Sequence, residues 1–135
     1  MTEIQFTIPG RPKAWERAGR SGKRSYTVDR MKVKENEIAW IANAAMPKGV
    51  LFDGPIELIF AAIFAIPKRW RKAEREYAAH TPVWHVDRPD LDNLTKLIGD
   101  ALNGVVWVDD EQVVRVIASK HYGPESRTDV IVRTL

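Results

Sequence analysis

The chain has 135 residues, 44% of them hydrophobic and 29% charged, ordinary values for one globular domain with a normal core. It has no Cys, which excludes disulfides and thiolate metal sites, and its longest apolar run, Leu58 to Ile66, is too short to span a membrane. The formal charge of +3 is mildly basic, and how that charge is distributed says more than its size.

In chain order, Ile4, Phe6 and Ile8 alternate with polar residues and predict a first strand ended by Pro9-Gly10. No signal peptide precedes it, so the expectation is a cytoplasmic protein with no membrane contact. Residues 10–27 (GRPKAWERAGRSGKRSYT) mix Gly and Ser with many basic residues and read as a basic loop. Nine Lys/Arg (Arg11, Lys13, Arg17, Arg20, Lys23, Arg24, Arg30, Lys32 and Lys34) stand against Glu16 and Asp29. Such a loop is ordinarily a solvated connection. Beside a polyanion it supplies phosphate contacts whose strength falls with salt. Trp15 and Tyr26 suit either stacking on exposed bases or packing on the core.

Asp29 to Met46 predicts a helix with Asp29 as cap, Ile38, Ile41, Ala42 and Ala45 as its buried stripe, and Pro47 as its stop. Arg30, Lys32 and Lys34 lie in its early turns, where a solvated face is the default. Pro55 to Ile66 is the most apolar segment and reads as a strand, central in a sheet or partly buried between subunits. Pro67 then opens a basic insertion, residues 67–80. Trp70, Ala73 and Tyr77 share one helical face there, and Lys68, Arg69, Arg71, Lys72 and Arg75 crowd the rest. This is either a surface helix anchored by Trp70 or a DNA contact. His80 and His85 lack metal-ligand spacing and read as surface or structural.

Residues 87–111 carry the densest chemistry. Pro89 marks a helix entry and Asp90 an N-cap position, or the residue just before it. Leu91, Leu94, Ile98, Ala101 and Leu102 form one apolar stripe, with Asp92, Lys96 and Asp100 on the opposite side. Asn103-Gly104 ends the helix, with Gly available for a left-handed position. Val105 to Val108 reads as a short strand delivering Asp109 and Asp110. Val113 to Lys120 and Asp129 to Leu135 read as the last two strands. The whole reads as a single α+β domain, residues 1–135, with a mixed sheet covered by helices; these patterns do not determine the strand order.

Each acidic piece has a plain explanation. An Asp at a helix start is usually a cap, Asp92–Lys96 is an i, i+4 pair worth about 0.3–0.5 kcal/mol, and Asp109-Asp110-Glu111 is usually a solvated turn. Together they say more. Carboxylates gathered from two elements repel unless a cation compensates, and an all-oxygen set suits Mg²⁺ or Mn²⁺. A basic surface flanking an acidic pocket suits a polyanion whose phosphate meets metal ions.

Pro89-Asp90-Leu91-Asp92-Asn93-Leu94-Thr95-Lys96, Asp100-Ala101-Leu102-Asn103-Gly104, Trp107, Asp109-Asp110 and Gln112-Val113-Val114 together resemble the RusA family of Holliday-junction resolvases. Lys120 and Tyr122-Gly123 fit the longer, phage-type members, which also carry a basic insertion. The resemblance implies Asp90, Asp92, Lys96 and Asp110 as the catalytic set, and Asp90, Asp92 and Asp110 as ligands of Mg²⁺, with Mn²⁺ a possible substitute. Strand periodicity does not choose between Asp109 and Asp110; the family pattern favours Asp110. Asn93 and Asp100 are candidates to hydrogen-bond these groups. Arg11, Lys13, Arg17, Arg20, Lys23, Arg24, Lys68, Arg69, Arg71 and Lys72 are the candidate DNA contacts. The implied reaction is metal-dependent hydrolysis in a four-way junction, by paired nicks from a two-fold homodimer. A broader flap or fork nuclease and a non-catalytic junction-binding protein are the alternatives.

Overall fold

The alternating N-terminal run forms β1 (Glu3–Pro9). The chain continues through α1 (Arg24–Ala45), β2 (Ile56–Ala65), α2 (Lys72–His80), α3 (Leu91–Leu102), a 3₁₀ turn (Asp110–Gln112), β3 (Val113–Gly123) and β4 (Arg127–Thr134). This computed structural model describes residues 2–14 and 24–135, with the backbone alone for 24–29. The sheet order is β1-β4-β2-β3, with β2 and β3 parallel and the other pairs antiparallel. The expected α+β arrangement with a mixed sheet is therefore what forms. The last strand inserts between the first two, and the apolar β2 is an interior strand as its sequence suggests.

Period-two alternation decides which residues meet the helices. Ile4 and Ile8 of β1, Ile56, Leu58, Phe60, Ala62 and Phe64 of β2, and Val130 and Val132 of β4 are all buried in one core. Met31, Ile38 and Ala42 of α1 join them, as do Leu94, Leu97, Ile98, Ala101 and Leu102 of α3. The opposite face carries a charged row running across all the strands of the sheet. Glu3 pairs with Arg133, Arg133 with Glu57, and Glu57 with Arg115. Glu57 is buried, and its two arginines supply the opposite charge that a buried carboxylate requires.

Several boundaries differ from the sequence expectation. α1 begins at Arg24, so Asp29 lies inside the helix rather than capping it; neither Gly nor Pro interrupts residues 24–29. Val105–Val108 is not a sheet strand. Gly104 takes φ +77°, the N–H groups of Val105 and Val106 turn back to the Leu102 carbonyl, and Trp107 makes only isolated bridges to Asn103 and Phe52. The run is apolar because Val106 and Trp107 plug the core, and a short apolar run looks alike in a strand or a buried turn. In the insertion, Trp70 precedes α2, Tyr77 is exposed, and Ala78 is the buried helical residue. The short helix meets the sheet through its smallest side chain, while Trp70 packs edge-on against Tyr122, ring centroids 4.6 Å apart.

Candidate active site

α3 starts where the sequence places it, with Asp90 as N-cap in extended backbone (φ −69°, ψ 145°). Its carboxylate makes no capping hydrogen bond, so the plain reading of Asp90 as a cap does not account for this side chain. Both Asp90 and Asp92 are exposed. The turn ahead of them is held from the sheet instead: Lys120 Nζ donates to the carbonyls of Asp87 (2.7 Å) and Pro89 (2.8 Å). Lys120 shares the helix-facing side of β3 with Val116, Ala118 and Tyr122, which pair in register with Leu58, Phe60 and Phe64 of β2.

Beside this turn stands an aromatic cluster. The His85 ring stacks on Phe64 at 3.7 Å and lies 5.1 Å from Tyr122. The Arg11 guanidinium sits 5.1 Å over the Phe64 ring, a cation–π contact that places the start of the basic loop against the core. Burial, the largest cause, raises the Tyr122 hydroxyl's pKa; Asp87 adds to the rise, while Arg69 and Arg11 oppose it. Burial likewise lowers the His85 pKa, helped by Lys120 and Arg11 and opposed by Asp87. One charge from the basic loop and one from the insertion thus both act on the Tyr122 hydroxyl. A cleft of about 480 Å³ extends this positive region along α1, lined by Gly10, Arg11, Lys13, Arg30, Lys34 and Glu37 among others. Lys34, nearly buried, pairs there with Glu37 at 3.4 Å.

Asp109 and Asp110 belong to a second, differently built turn. Asp109 caps the 3₁₀ turn, accepting from the Glu111 N–H, whereas Asp110 Oδ1 accepts from Trp107 Nε1 at 2.9 Å. Gln112 fixes the whole turn. Its Oε1 accepts from the N–H groups of Val108 and Asp109 (2.9 Å each), and its Nε2 donates to the carbonyls of Phe52 and Gly54 (3.0 Å each). Sequence reasoning assigned neither Gln112 nor Lys120 a role. The spacing Asp109-x-x-Gln112 is a capping-box signature that marked the first. A lysine in the apolar register of a strand marked the second.

The two acidic turns lie at opposite ends of α3. Asp90 and Asp92 stand at its start, near the end of β3. Asp109 and Asp110 follow the turn at its end and precede the first residue of β3. A helix of 12 residues is ~18 Å long, and among the described residues no three His, Asp or Glu side chains gather closely enough to hold a metal ion. The described residues of one chain therefore offer the hard oxygen donors Mg²⁺ prefers, but only as separate pairs. Lys96 Nζ lies 3.9 Å from Asp100 Oδ2, one helical turn beyond the acidic pair, and Asn93 is half-buried in the first turn of α3. Lys68, Arg69, Arg71 and Lys72 are exposed on the insertion, and Arg11 and Lys13 on the other flank. Arg17, Arg20, Lys23, Trp15 and the side chains of Arg24 and Tyr26 lie outside the described residues.

Comparison with known proteins bears on the family of the whole chain. The family model described as "Endodeoxyribonuclease RusA" matches residues 9–133. A Bacillus subtilis (strain 168) protein named "Uncharacterized protein YqaN" is 32% identical over 137 residues, spanning 96% of this chain and 95% of that one.

Proposed function

The chain belongs to the RusA endodeoxyribonuclease family, and from that membership we propose that it resolves four-way (Holliday) DNA junctions in recombination and repair, by divalent-metal-dependent hydrolysis. The observation that carries this reading is that both basic segments reach the aromatic cluster beside the Asp90–Asp92 turn, the loop through Arg11 over Phe64 and the insertion through Trp70 against Tyr122. Cations drawn from two separate basic segments hold a phosphate backbone, and the adjoining carboxylates serve the scissile bond. Asp90, Asp92 and Asp110 are the proposed metal ligands, and Lys96 adds positive charge beside the reacting phosphate. Bound there, Mg²⁺ or Mn²⁺ supplies Lewis-acid stabilisation to the phosphodiester.

The separation of the acidic pairs argues for a two-fold homodimer. β3 is an edge strand, and residues 83–85 cover that edge only at Lys120 and Tyr122, through His85 N–H to Lys120 C=O (3.1 Å) and Tyr122 N–H to Val83 C=O (2.9 Å). The remaining edge exposes Val114, Val116 and Ile117 (62%, 43% and 53%), an open apolar strand that proteins ordinarily cover. Antiparallel pairing of β3 with its copy, about an axis near Val116, runs the copy's Asp110 turn toward Lys120, where Asp90 and Asp92 stand. Each site then takes its acidic groups from both chains. Paired sites related by a two-fold axis match the approximate symmetry of a junction.

The test uses a labelled four-way junction, a flap and a linear duplex, each with Mg²⁺, Mn²⁺ or EDTA. Symmetric Mg²⁺-dependent nicks on the junction alone, lost in Asp92→Asn with binding retained, support resolution. Equal cutting of the flap widens the substrate class, and binding without cutting in either metal sinks the nuclease reading. Mixing inactive Asp90→Asn and Asp110→Asn chains tests the shared site: a heterodimer regains one intact site and nicks one strand, whereas sites confined to single chains stay silent.

A further inference from the structure

We propose that Lys120 is a positioning residue for the Asp90–Asp92 pair, holding the turn in place of the cap that Asp90 does not make. The proposal rests on the nuclease reading above. Lys120 occupies a position on β3 that would otherwise continue the apolar register, and an ammonium there is costly unless acceptors satisfy it. It meets the carbonyls of Asp87 and Pro89, and the Pro89 carbonyl belongs to the peptide bond leading into Asp90. Such charge-assisted hydrogen bonds are about twice as strong as neutral ones. In most helices an Asp N-cap fixes the first turn with its own carboxylate. Here the Asp90 backbone carbonyl accepts from Leu94 N–H (3.1 Å) while its carboxylate makes no cap bond.

The anchor is itself rigid. From the Lys120 carbonyl to the Tyr122 N–H, β3 is hydrogen-bonded to residues 83–85, the segment that leads into the turn. The lysine thus ties the sheet to the acidic pair, and its effect on the reaction runs through the placement of those carboxylates. Groups that orient metal ligands from behind typically change metal affinity 10–100-fold when removed.

The chain contains no Cys, so Lys120→Cys introduces the only thiol and permits chemical rescue. Mn²⁺ affinity without DNA, junction affinity, cleavage rate and amide exchange at Leu94 are measured on each form. Lys120→Cys is expected to bind Mn²⁺ roughly 10–100-fold more weakly and to exchange faster at Leu94, with junction affinity retained. Alkylation with 2-bromoethylamine forms a C–S bond and expels bromide, restoring an ammonium at nearly the original reach, and is expected to restore Mn²⁺ affinity and rate. Alkylation with iodoacetamide is not. Wild-type Mn²⁺ affinity in Lys120→Cys, or equal rescue by the neutral adduct, overturns the proposal. Should Lys120→Cys fail to fold, Lys120→Gln keeps a donor with a shorter reach: weakened Mn²⁺ binding supports the role, and unchanged binding overturns it. A wild type that neither binds Mn²⁺ nor cuts DNA overturns the nuclease reading and this proposal together. A wild type that cuts, beside an unimpaired Lys120→Cys, overturns only the role of Lys120.

Discussion

Trp107 is fully buried, yet its indole Nε1 donates to Asp110 Oδ1 at 2.9 Å. A core side chain thereby aims an exposed carboxylate, while the neighbouring Asp109 is occupied in capping the 3₁₀ turn. This division of labour supports Asp110 as the metal ligand. Asp110→Asn retains an acceptor for the indole, so the fold should persist. Cleavage should fall roughly 100-fold or more, since a metal contributes several kcal/mol to the transition state. Asp109→Asn, which keeps a capping oxygen, should change the rate far less. Side-by-side junction cleavage decides, and a larger loss in Asp109→Asn would reverse the assignment.

Gln112 makes four hydrogen bonds through one amide, which is all that group can make. Gln112→Ala should cost about 2–4 kcal/mol at roughly 0.5–1.5 kcal/mol per bond, less what water restores. Gln112→Glu should also destabilise, because a carboxylate oxygen would face the carbonyls of Phe52 and Gly54. Thermal melting measures both variants. Wild-type stability in either would mean that packing, not the amide, holds the acidic turn.

Much of this arrangement was legible in the residues themselves. The alternation of Ile4, Phe6 and Ile8, the stripe of α3 and its Asn103-Gly104 ending are local signals, and local signals suffice for local elements. The Val105–Val108 run misled because burial by a sheet and burial under a turn demand the same apolar residues. The insertion of β4 between β1 and β2 is a long-range choice that no period reports. The site followed the same rule. Asp90, Asp92 and Asp110 stand out as residue types, but their placement at opposite ends of α3 depends on where the chain turns. Lys120 and Gln112 act on backbone N–H and C=O groups, which every peptide unit offers, so apart from the capping box between Gln112 and Asp109 their partners leave no trace in sequence.

The basic residues yield a prediction that separates phosphate binding from plain solvation. Removing a side chain that neutralises one phosphate should reduce the slope of log affinity against log salt by about 1. Lys13→Ala and Arg69→Ala should each show that change on junction DNA, with cleavage at saturating DNA little altered. Arg11→Ala should add a modest loss of stability, because its guanidinium also lies over the Phe64 ring. Unchanged slopes would return these side chains to the role of a solvated face.

His85 connects the site to acid stability. It is buried against Phe64, and its Nδ1 has no hydrogen-bond partner among the described residues. Burial is the largest cause holding its pKa down; Lys120 and Arg11 add to that, Asp87 opposes it, and the net direction is down from 6.5. With the folded pKa below the unfolded one, the unfolded chain binds more protons between the two values. Stability is therefore complete above about pH 6.5 and declines as pH falls through that window. Glu3, held below its ordinary value of 4.5 chiefly by Arg133, has the same sign but acts at lower pH. Melting curves from pH 7.5 to 5 isolate the histidine. His85→Phe keeps a ring on Phe64 and removes the titration, so its melting temperature should vary less over that range than the wild type's. Parallel profiles would show that another group carries the acid loss. A flattened profile would identify the imidazole beneath the acidic turn as the point at which mild acid first loosens the site.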